Sequence, residues 1–175
     1  MFAKTFRNTL VASTLLIGAS LLAGPAALAA TSTGTANGTV SAVNAITFTG
    51  TTGTAITGGA AVGAYPMGSL ALQDNSAGGW KLEVSSLNGG KLVNTITATD
   101  VIAYTQLTTG AIGAATITPV DFVAATTNYQ LSLSAFDGAV AAGVTGVAVT
   151  ADIAGSQFVP VGTYADTLTF TLTSQ

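Results

Sequence analysis

The 175-residue sequence contains no cysteine and no histidine, and its only arginine is Arg7. Without cysteine the chain can form no disulfide, so its stability has to come from a packed core or from assembly. Without histidine and cysteine it has no Ser-His-Asp or Cys-His nucleophile and none of the usual zinc or copper sites. These absences exclude many hydrolytic and metal-dependent enzymes.

Carboxylates are the remaining candidates for chemistry. Two of them could act as acid and base in glycoside hydrolysis, and the sequence offers Glu83 and six aspartates. Their spacing selects no pair, and most stand beside Gly, Asn or Ser in predicted turns, where Asp is common for structural reasons. Calcium binding is not predicted either, because the sequence contains no Asp-rich loop with ligands at alternate positions. We therefore predict a non-enzymatic protein with no catalytic residue, no metal and no cofactor.

Charged residues are scarce, at 6% of the chain, and half of the basic ones lie near the amino terminus. Lys4 and Arg7 precede an apolar run at residues 10–22, and the small-residue sequence Ala27-Leu28-Ala29 follows. A basic start, a short apolar stretch and an A-x-A site are typical of a secretory signal peptide. The alternative, a retained transmembrane anchor, would need about 20 apolar residues. We predict a signal peptide at residues 1–29, and hence an extracellular protein at the cell surface.

Removal of this segment would leave two lysines against seven acidic residues, and so a net charge of −5. Nucleic acids and anionic lipids are bound by clusters of Lys and Arg. Because the chain has no such cluster, we predict that it has no nucleic-acid partner and does not insert into a membrane after the signal peptide is cleaved.

The most regular pattern lies at the carboxyl end, where residues 162–175 read GTYADTLTFTLTSQ. Apolar side chains occupy the even-numbered positions from Tyr164 to Leu172, except at Asp166, and threonine occupies the odd positions 167–173. Successive side chains of a strand point to opposite faces, so the pattern predicts one long strand with an apolar face and a threonine face. We expect Asp166 to lie at the open end of a sheet and to accept hydrogen bonds from backbone N–H groups of a neighbouring loop.

A second alternating segment begins at Trp80, where Trp80, Leu82 and Val84 share one face. These companions favour a core position for Trp80 over an exposed platform that stacks on sugar rings. Other short apolar or β-branched segments predict strands at residues 39–49, 66–72, 91–97, 100–107, 115–123, 128–135 and 144–153, with at most a short strand at 55–57. No segment predicts a helix, since three glycines make one improbable in the alanine-rich stretch 138–146.

The even spacing of these segments predicts an all-β fold. The expected architecture is an antiparallel β-sandwich of the immunoglobulin-like or Greek-key type with roughly eight to ten strands. Residues 30–175, which follow the predicted signal peptide, have the size of one ordinary domain. We therefore predict a single β-sandwich domain.

Two motifs in these strands resemble a known family. Residues 79–84, GWKLEV, preceded by Asp74-Asn75, resemble the first Trp-x-Leu motif of the WxL domain of bacterial cell-surface proteins. The ending resembles the second motif of that family, with Phe170 where the family has tryptophan and without the closing proline; the matching residues are Gly162, Tyr164, Leu168, Thr169, Phe170 and Leu172. The same ending also resembles the last strand of spore-coat-U-type and chaperone–usher-type fibre subunits.

The WxL resemblance implies an all-β exported domain over residues 30–175 that associates non-covalently with the cell wall, with peptidoglycan as the ligand. It singles out as ligand-binding residues Trp80, Leu82, Tyr164, Leu168, Phe170 and Leu172. The partners would be a wall polymer or other surface proteins. The alternative is a structural subunit of a surface fibre or coat. Such a homopolymer would assemble by β-strand addition, with the uncharged segment 31–49 completing the sheet of a neighbour.

Overall fold

A computed structural model describes residue 35 and residues 37–175 of the chain. The predicted signal peptide, residues 1–29, lies outside this part. Residues Val40–Gln175 form one compact unit. Its elements in chain order are β1 (Asn44–Gly50), β2 (Val62–Asp74), β3 (Trp80–Ser86), β4 (Lys91–Asn94), β5 (Val101–Thr109), β6 (Tyr129–Ser134), α1 (Gly138–Ala142), β7 (Val144–Ile153), β8 (Tyr164–Ala165) and β9 (Leu168–Ser174).

The strands form two antiparallel sheets. Six strands make the larger sheet in the order β1-β2-β7-β5-β4-β8, and three make the smaller one in the order β6-β3-β9. Inward-facing side chains of both sheets belong to one hydrophobic core. The structure therefore confirms the predicted all-β antiparallel sandwich.

The core is built around the strand that begins at the single tryptophan. Trp80, Leu82 and Val84 are fully buried, as their alternation predicts. They share the core with Leu70 and Val149 of the larger sheet, which are buried to the same degree. Burial of each such side chain contributes about 1.5–3 kcal/mol. In a chain without disulfides, this core is the main source of stability in the described unit.

Two of the four register shifts in the larger sheet are bulges centred on residues with a left-handed backbone. The register of β2 against β7 shifts near Ala64, and that of β5 against β7 shifts near Gln106. Both residues have φ of 51°, a left-handed conformation. A carboxylate accepts the N–H of each: Asp152 bonds Ala64 at 2.9 Å and Asp121 bonds Gln106 at 2.6 Å. These two acidic residues therefore hold the bulges in place.

The carboxyl-terminal segment is divided between the two sheets, so the prediction of one long strand is wrong. β8 pairs with β4 in the larger sheet, and β9 pairs with β3 in the smaller one. The chain passes from one sheet to the other at Asp166 and Thr167, where the Asp166 side chain accepts hydrogen bonds from the Ser86 and Tyr104 hydroxyls and from the Thr167 N–H. The predicted alternation persists: the threonines at 167, 169, 171 and 173 are exposed, and the even positions are at least half-buried.

The predicted strand at residues 115–123 is also wrong. An isolated bridge joins Val120 to Leu107, and Pro119, which has no N–H to give to a ladder, interrupts the segment. The segment instead lies beside β6, where the Thr118 N–H donates to the Leu131 carbonyl at 2.8 Å. Residues 51–61 form a loop without a strand, and the first strand begins at Asn44 rather than at residue 39.

A short helix, α1, forms in the stretch where glycine made one improbable. The Asp137 carboxylate accepts the backbone N–H of Ala114 at 2.7 Å and of Ala139 at 2.8 Å, and these two bonds lower the pKa of Asp137. Gly143 ends the helix with φ of 95°, a conformation that favours glycine. Gly138 therefore begins the helix and Gly143 ends it, and neither interrupts it. Nothing in the described region is a helix of the length and apolar character that a membrane crossing requires.

Candidate functional site

A cleft of about 840 Å³ opens at one end of the sandwich. The smaller sheet has half as many strands as the larger one. Near Ile153, the last residue of β7, the inner face of the larger sheet therefore lines the cleft and is not covered by a strand of the smaller sheet. Its apolar lining includes Phe48, Tyr65, Met67, Leu92, Ile102, Ile153 and Leu168. Ligand pockets typically measure about 300–1,000 Å³, so the cleft is large enough for a small molecule or a segment of polymer.

Two loops, residues 51–61 and 154–163, form the mouth of the cleft. Backbone hydrogen bonds join them, from the Gly59 N–H to the Gln157 carbonyl at 3.1 Å and from the Ser156 N–H to the Gly59 carbonyl at 2.8 Å. The Gln157 side-chain amide also bonds both the N–H and the carbonyl of Ala103 at 2.7 and 2.9 Å. Hydrogen bonds therefore join the two mouth loops to each other and to β5.

Phe158 lies between the lining residues Gln157 and Val159, and 83% of its surface is exposed, outside the cleft lining itself. Its ring rests against Gly59, where an added Cβ would lie 2.5 Å from the ring. An exposed aromatic ring beside a cleft offers a flat apolar face for stacking. The sequence analysis did not single out Phe158, because this lone aromatic residue lies in a loop without the alternation that marked Trp80.

The cleft is nearly uncharged. Its lining includes neither of the two lysines, and its one carboxylate is Asp166. Both oxygens of that carboxylate are occupied. Oδ2 accepts from Ser86 Oγ and Tyr104 OH, both at 2.5 Å, and Oδ1 accepts from the backbone N–H groups of Asn88 at 3.1 Å and Thr167 at 2.7 Å. The expectation that Asp166 accepts hydrogen bonds from the backbone of a neighbouring loop is confirmed.

Burial and the bond to Asp166 together keep Tyr104 protonated. Burial is the larger cause and the carboxylate the second, and both raise the pKa of Tyr104 well above its ordinary value of 10.0. Burial likewise raises the pKa of Tyr65, whose hydroxyl donates to the Thr54 carbonyl at 3.1 Å in the loop at the cleft mouth. Both tyrosines therefore act as neutral donors near the cleft.

The structure brings the two motif strands together, but some of the motif residues lie in the core and others line the cleft. β3 and β9 are neighbours, with Leu82 opposite Leu172. Trp80, Leu82 and Leu172 are buried in the core, out of reach of a ligand. Phe170 is half-buried against Phe48, with ring centroids 4.8 Å apart. The two remaining motif residues, Tyr164 and Leu168, line the cleft.

Most of the other carboxylates form structural bonds, among them Asp121, Asp137 and Asp152 described above. Asp74 accepts hydrogen bonds from the Ser76 N–H and from the side chains of Asn44 and Ser174. Glu83 pairs with Lys81 at 3.0 Å on the exposed face of β3. Within residue 35 and residues 37–175, no group of three or more acidic, histidine or cysteine side chains could hold a metal ion.

No protein-family model, no curated protein and no solved structure matches the sequence. The resemblance to the WxL domain therefore stays a prediction.

Proposed function

We propose that the protein is a non-enzymatic component of the bacterial cell surface that binds an uncharged part of the wall polymer in the cleft between loops 51–61 and 154–163. The observation that carries this proposal is the neutral, half-apolar cleft that contains Tyr164 and Leu168 of the second motif. Its ligand class, a peptidoglycan glycan chain, is taken from the resemblance to the WxL domain.

The chemistry of the cleft suits a neutral sugar polymer. Sugar rings present an apolar face and many hydroxyl groups. The lining offers Tyr164 and the aliphatic inner face of the sheet, together with threonine hydroxyls and backbone groups of residues 51–59, and Phe158 stands at its mouth. A polymer rich in phosphate would instead need lysine or arginine, and the lining has neither.

The same lining supports binding without hydrolysis. Glycoside hydrolysis uses two carboxylates on either side of the bond that is cut. The cleft contains only Asp166, and four hydrogen-bond donors already occupy its oxygens.

Pelleting with purified peptidoglycan sacculi tests the proposal. We expect the wild-type protein to pellet, and Phe158→Ala to weaken binding by about tenfold, which corresponds to about 1.4 kcal/mol. Phe136→Ala is the matched control, since Phe136 is also exposed, at 54%, but belongs to neither of the two cleft loops, whereas the Phe158 ring rests on the lining residue Gly59. Equal binding by Phe158→Ala and the wild type would contradict the location of the site, and failure of the wild type to pellet would contradict the function.

A second candidate function is a structural subunit that polymerises by strand addition. The observation that favours it is that β1 and β9 are edge strands of their sheets and contain no charged residue. Unprotected edges of this kind are templates for pairing with another chain. Negative-stain microscopy of the purified protein tests it, with filaments expected and a uniformly monomeric sample as the contrary result.

A further inference from the structure

β1 forms a hydrogen-bonded ladder with a neighbouring strand along only one of its two edges. It lies at the edge of the larger sheet and pairs with β2 over all seven of its residues, from Asn44 opposite Asp74 to Gly50 opposite Gly68. Its apolar residues Ile46 and Phe48 are only half-buried. An edge strand with one paired side can leave its sheet at lower cost than a central strand, because it breaks one ladder instead of two.

On its other side, β1 meets β9 through side chains. The Phe48 ring packs on Phe170, with centroids 4.8 Å apart. At the opposite end the Asn44 amide donates to Ser174 Oγ of β9 at 2.8 Å, and it also donates to Asp74 Oδ2 of β2 at 2.9 Å. β1 therefore fills a groove whose two walls are β2 and β9.

This groove fits the sequence of β1 closely. Ile46 lies opposite Leu72 and Phe48 opposite Leu70. Gly68 leaves the space for the Phe48 ring, since a Cβ there would lie 2.6 Å from the ring. A strand that refills the groove needs an amide, an aliphatic and an aromatic side chain at alternate positions. β1 itself supplies this pattern, from the same copy or from a second copy of the chain.

The connection after β1 is long enough for exchange between copies. Residues 51–61 contain no strand, and eleven extended residues span about 36–40 Å. Few hydrogen bonds hold the loop, among them Tyr65 OH to the Thr54 carbonyl and the two bonds that join Gly59 to the opposite loop. A straightened loop could therefore carry β1 out of its own groove to that of a neighbour.

We infer that β1 exchanges between copies, so that β1 of one molecule occupies the β2–β9 groove of the next. This inference rests on the second candidate function and names its partner as a second copy of the chain. The exchanged strand makes the same contacts as in the single molecule, so the assembly gains no new ladder and forms by mass action at high protein concentration.

Engineered disulfides report which molecule supplies β1, because the chain has no cysteine of its own. Thr47 and Ala71 are register partners across β1 and β2, and such partners lie about 4.5–5.5 Å apart at their Cα atoms, within reach of a disulfide. Ser85 and Thr169, register partners across β3 and β9, give the control pair. Exchange of β1 would leave the control pair within one molecule.

The two double variants are Thr47→Cys with Ala71→Cys and Ser85→Cys with Thr169→Cys. Each is assembled in reductant at high concentration, then oxidised and denatured. We expect covalent dimers and larger species from the first variant and single chains from the control. Oxidation of the first variant while it is still dilute should lock β1 in its own groove and abolish assembly, whereas the oxidised control should assemble.

Two results would overturn the inference. Assemblies from which the first variant gives only single chains would show that copies associate without exchange of β1, and the second candidate function would survive. A protein that stays monomeric at all concentrations would overturn both. Circular dichroism of the reduced variants, matched to the wild type, shows that the substitutions preserve the fold.

Discussion

Asp166 links the two sheets through a single carboxylate. Its Oδ2 atom accepts hydrogen bonds from Ser86 on β3 and from Tyr104 on β5, which belong to different sheets. Ser86 Oγ in turn accepts the Gly90 N–H at 2.8 Å. A buried charge is tolerated only when it is hydrogen-bonded. The chain therefore crosses between the two sheets at the residue whose side chain is bonded to both of them.

Replacement of this carboxylate by an amide should destabilise the protein. In Asp166→Asn the amide nitrogen would face two of the four donors whichever way the amide turned, and charge-assisted bonds would become neutral. We expect a loss of about 2–3 kcal/mol in the free energy of unfolding measured with urea. Asp121→Asn is the control, since exposed Asp121 bonds one bulge N–H, and its expected loss is below about 1 kcal/mol. Equal losses in the two variants would contradict a role for Asp166 in linking the sheets.

Tyr104 should make the protein less stable at high pH. Below pH 10 its hydroxyl is protonated in both the folded and the unfolded chain. Above its ordinary pKa of 10.0 the unfolded chain releases the proton, while the folded chain keeps it because the pKa of Tyr104 is raised. The unfolded state then binds fewer protons, so stability falls as pH rises, by up to about 1.4 kcal/mol per pH unit.

Urea midpoints measured between about pH 9 and about pH 11.5 check this dependence. Tyr104→Phe should flatten the curve without removing it, because burial raises the pKa of Tyr65 in the same direction. A variant with the same slope as the wild type would show that Tyr104 ionises normally in the folded chain.

At the scale of the elements, alternation predicted the strands whose ladder is regular. β3 and the inward positions of β9 follow a period of two, and both were found from the sequence. β5 changes parity at Gln106, so that Tyr104 and Leu107 both point inward, and no simple alternation describes that. The break at Asp166 has a similar cause, since it depends on donors from Ser86 and Tyr104, which are distant in the sequence.

The cleft could not be predicted from the sequence because its parts are distant and lack a period. Loops 51–61 and 154–163 meet through backbone bonds of Gly59, and such backbone bonds leave no pattern of side chains in the sequence. The motif residues Tyr164 and Leu168 were named by resemblance, and the fold places them in the cleft lining. Trp80 was named by the same resemblance, but its alternation had already indicated the core position that the structure confirms.

Alanine substitutions of the glycines at the two ends of α1 should change the stability in opposite directions. Gly143→Ala should cost about 1–3 kcal/mol, because φ of 95° strains a residue with a Cβ. Gly138→Ala should stabilise by up to about 1 kcal/mol, because Gly138 lies inside the helix and a Cβ there would meet nothing within 4 Å. Thermal unfolding of both variants checks the pair. Similar effects of both substitutions would contradict the assignment of Gly143 as the residue that ends the helix.

For the whole molecule, the scarcity of charge limits how the proposed binding to a wall polymer could work. The described unit contains two lysines and seven acidic residues, and its one ion pair, Lys81 with Glu83, is partly exposed. A pair of this kind contributes about 0–1 kcal/mol. The proposed binding would therefore depend on shape, stacking and neutral hydrogen bonds, and long-range attraction would contribute little.

This dependence predicts that wall binding is nearly independent of salt. Attraction between exposed charges is screened over about 10 Å at 0.1 M salt and over about 3 Å at 1 M. We therefore expect pelleting with peptidoglycan sacculi to change by less than about twofold between about 50 mM and about 500 mM NaCl. A protein held by phosphate groups would instead lose affinity steeply over that range. Strong release by salt would contradict the neutral cleft as the binding site, since its lining contains no cation that salt could screen.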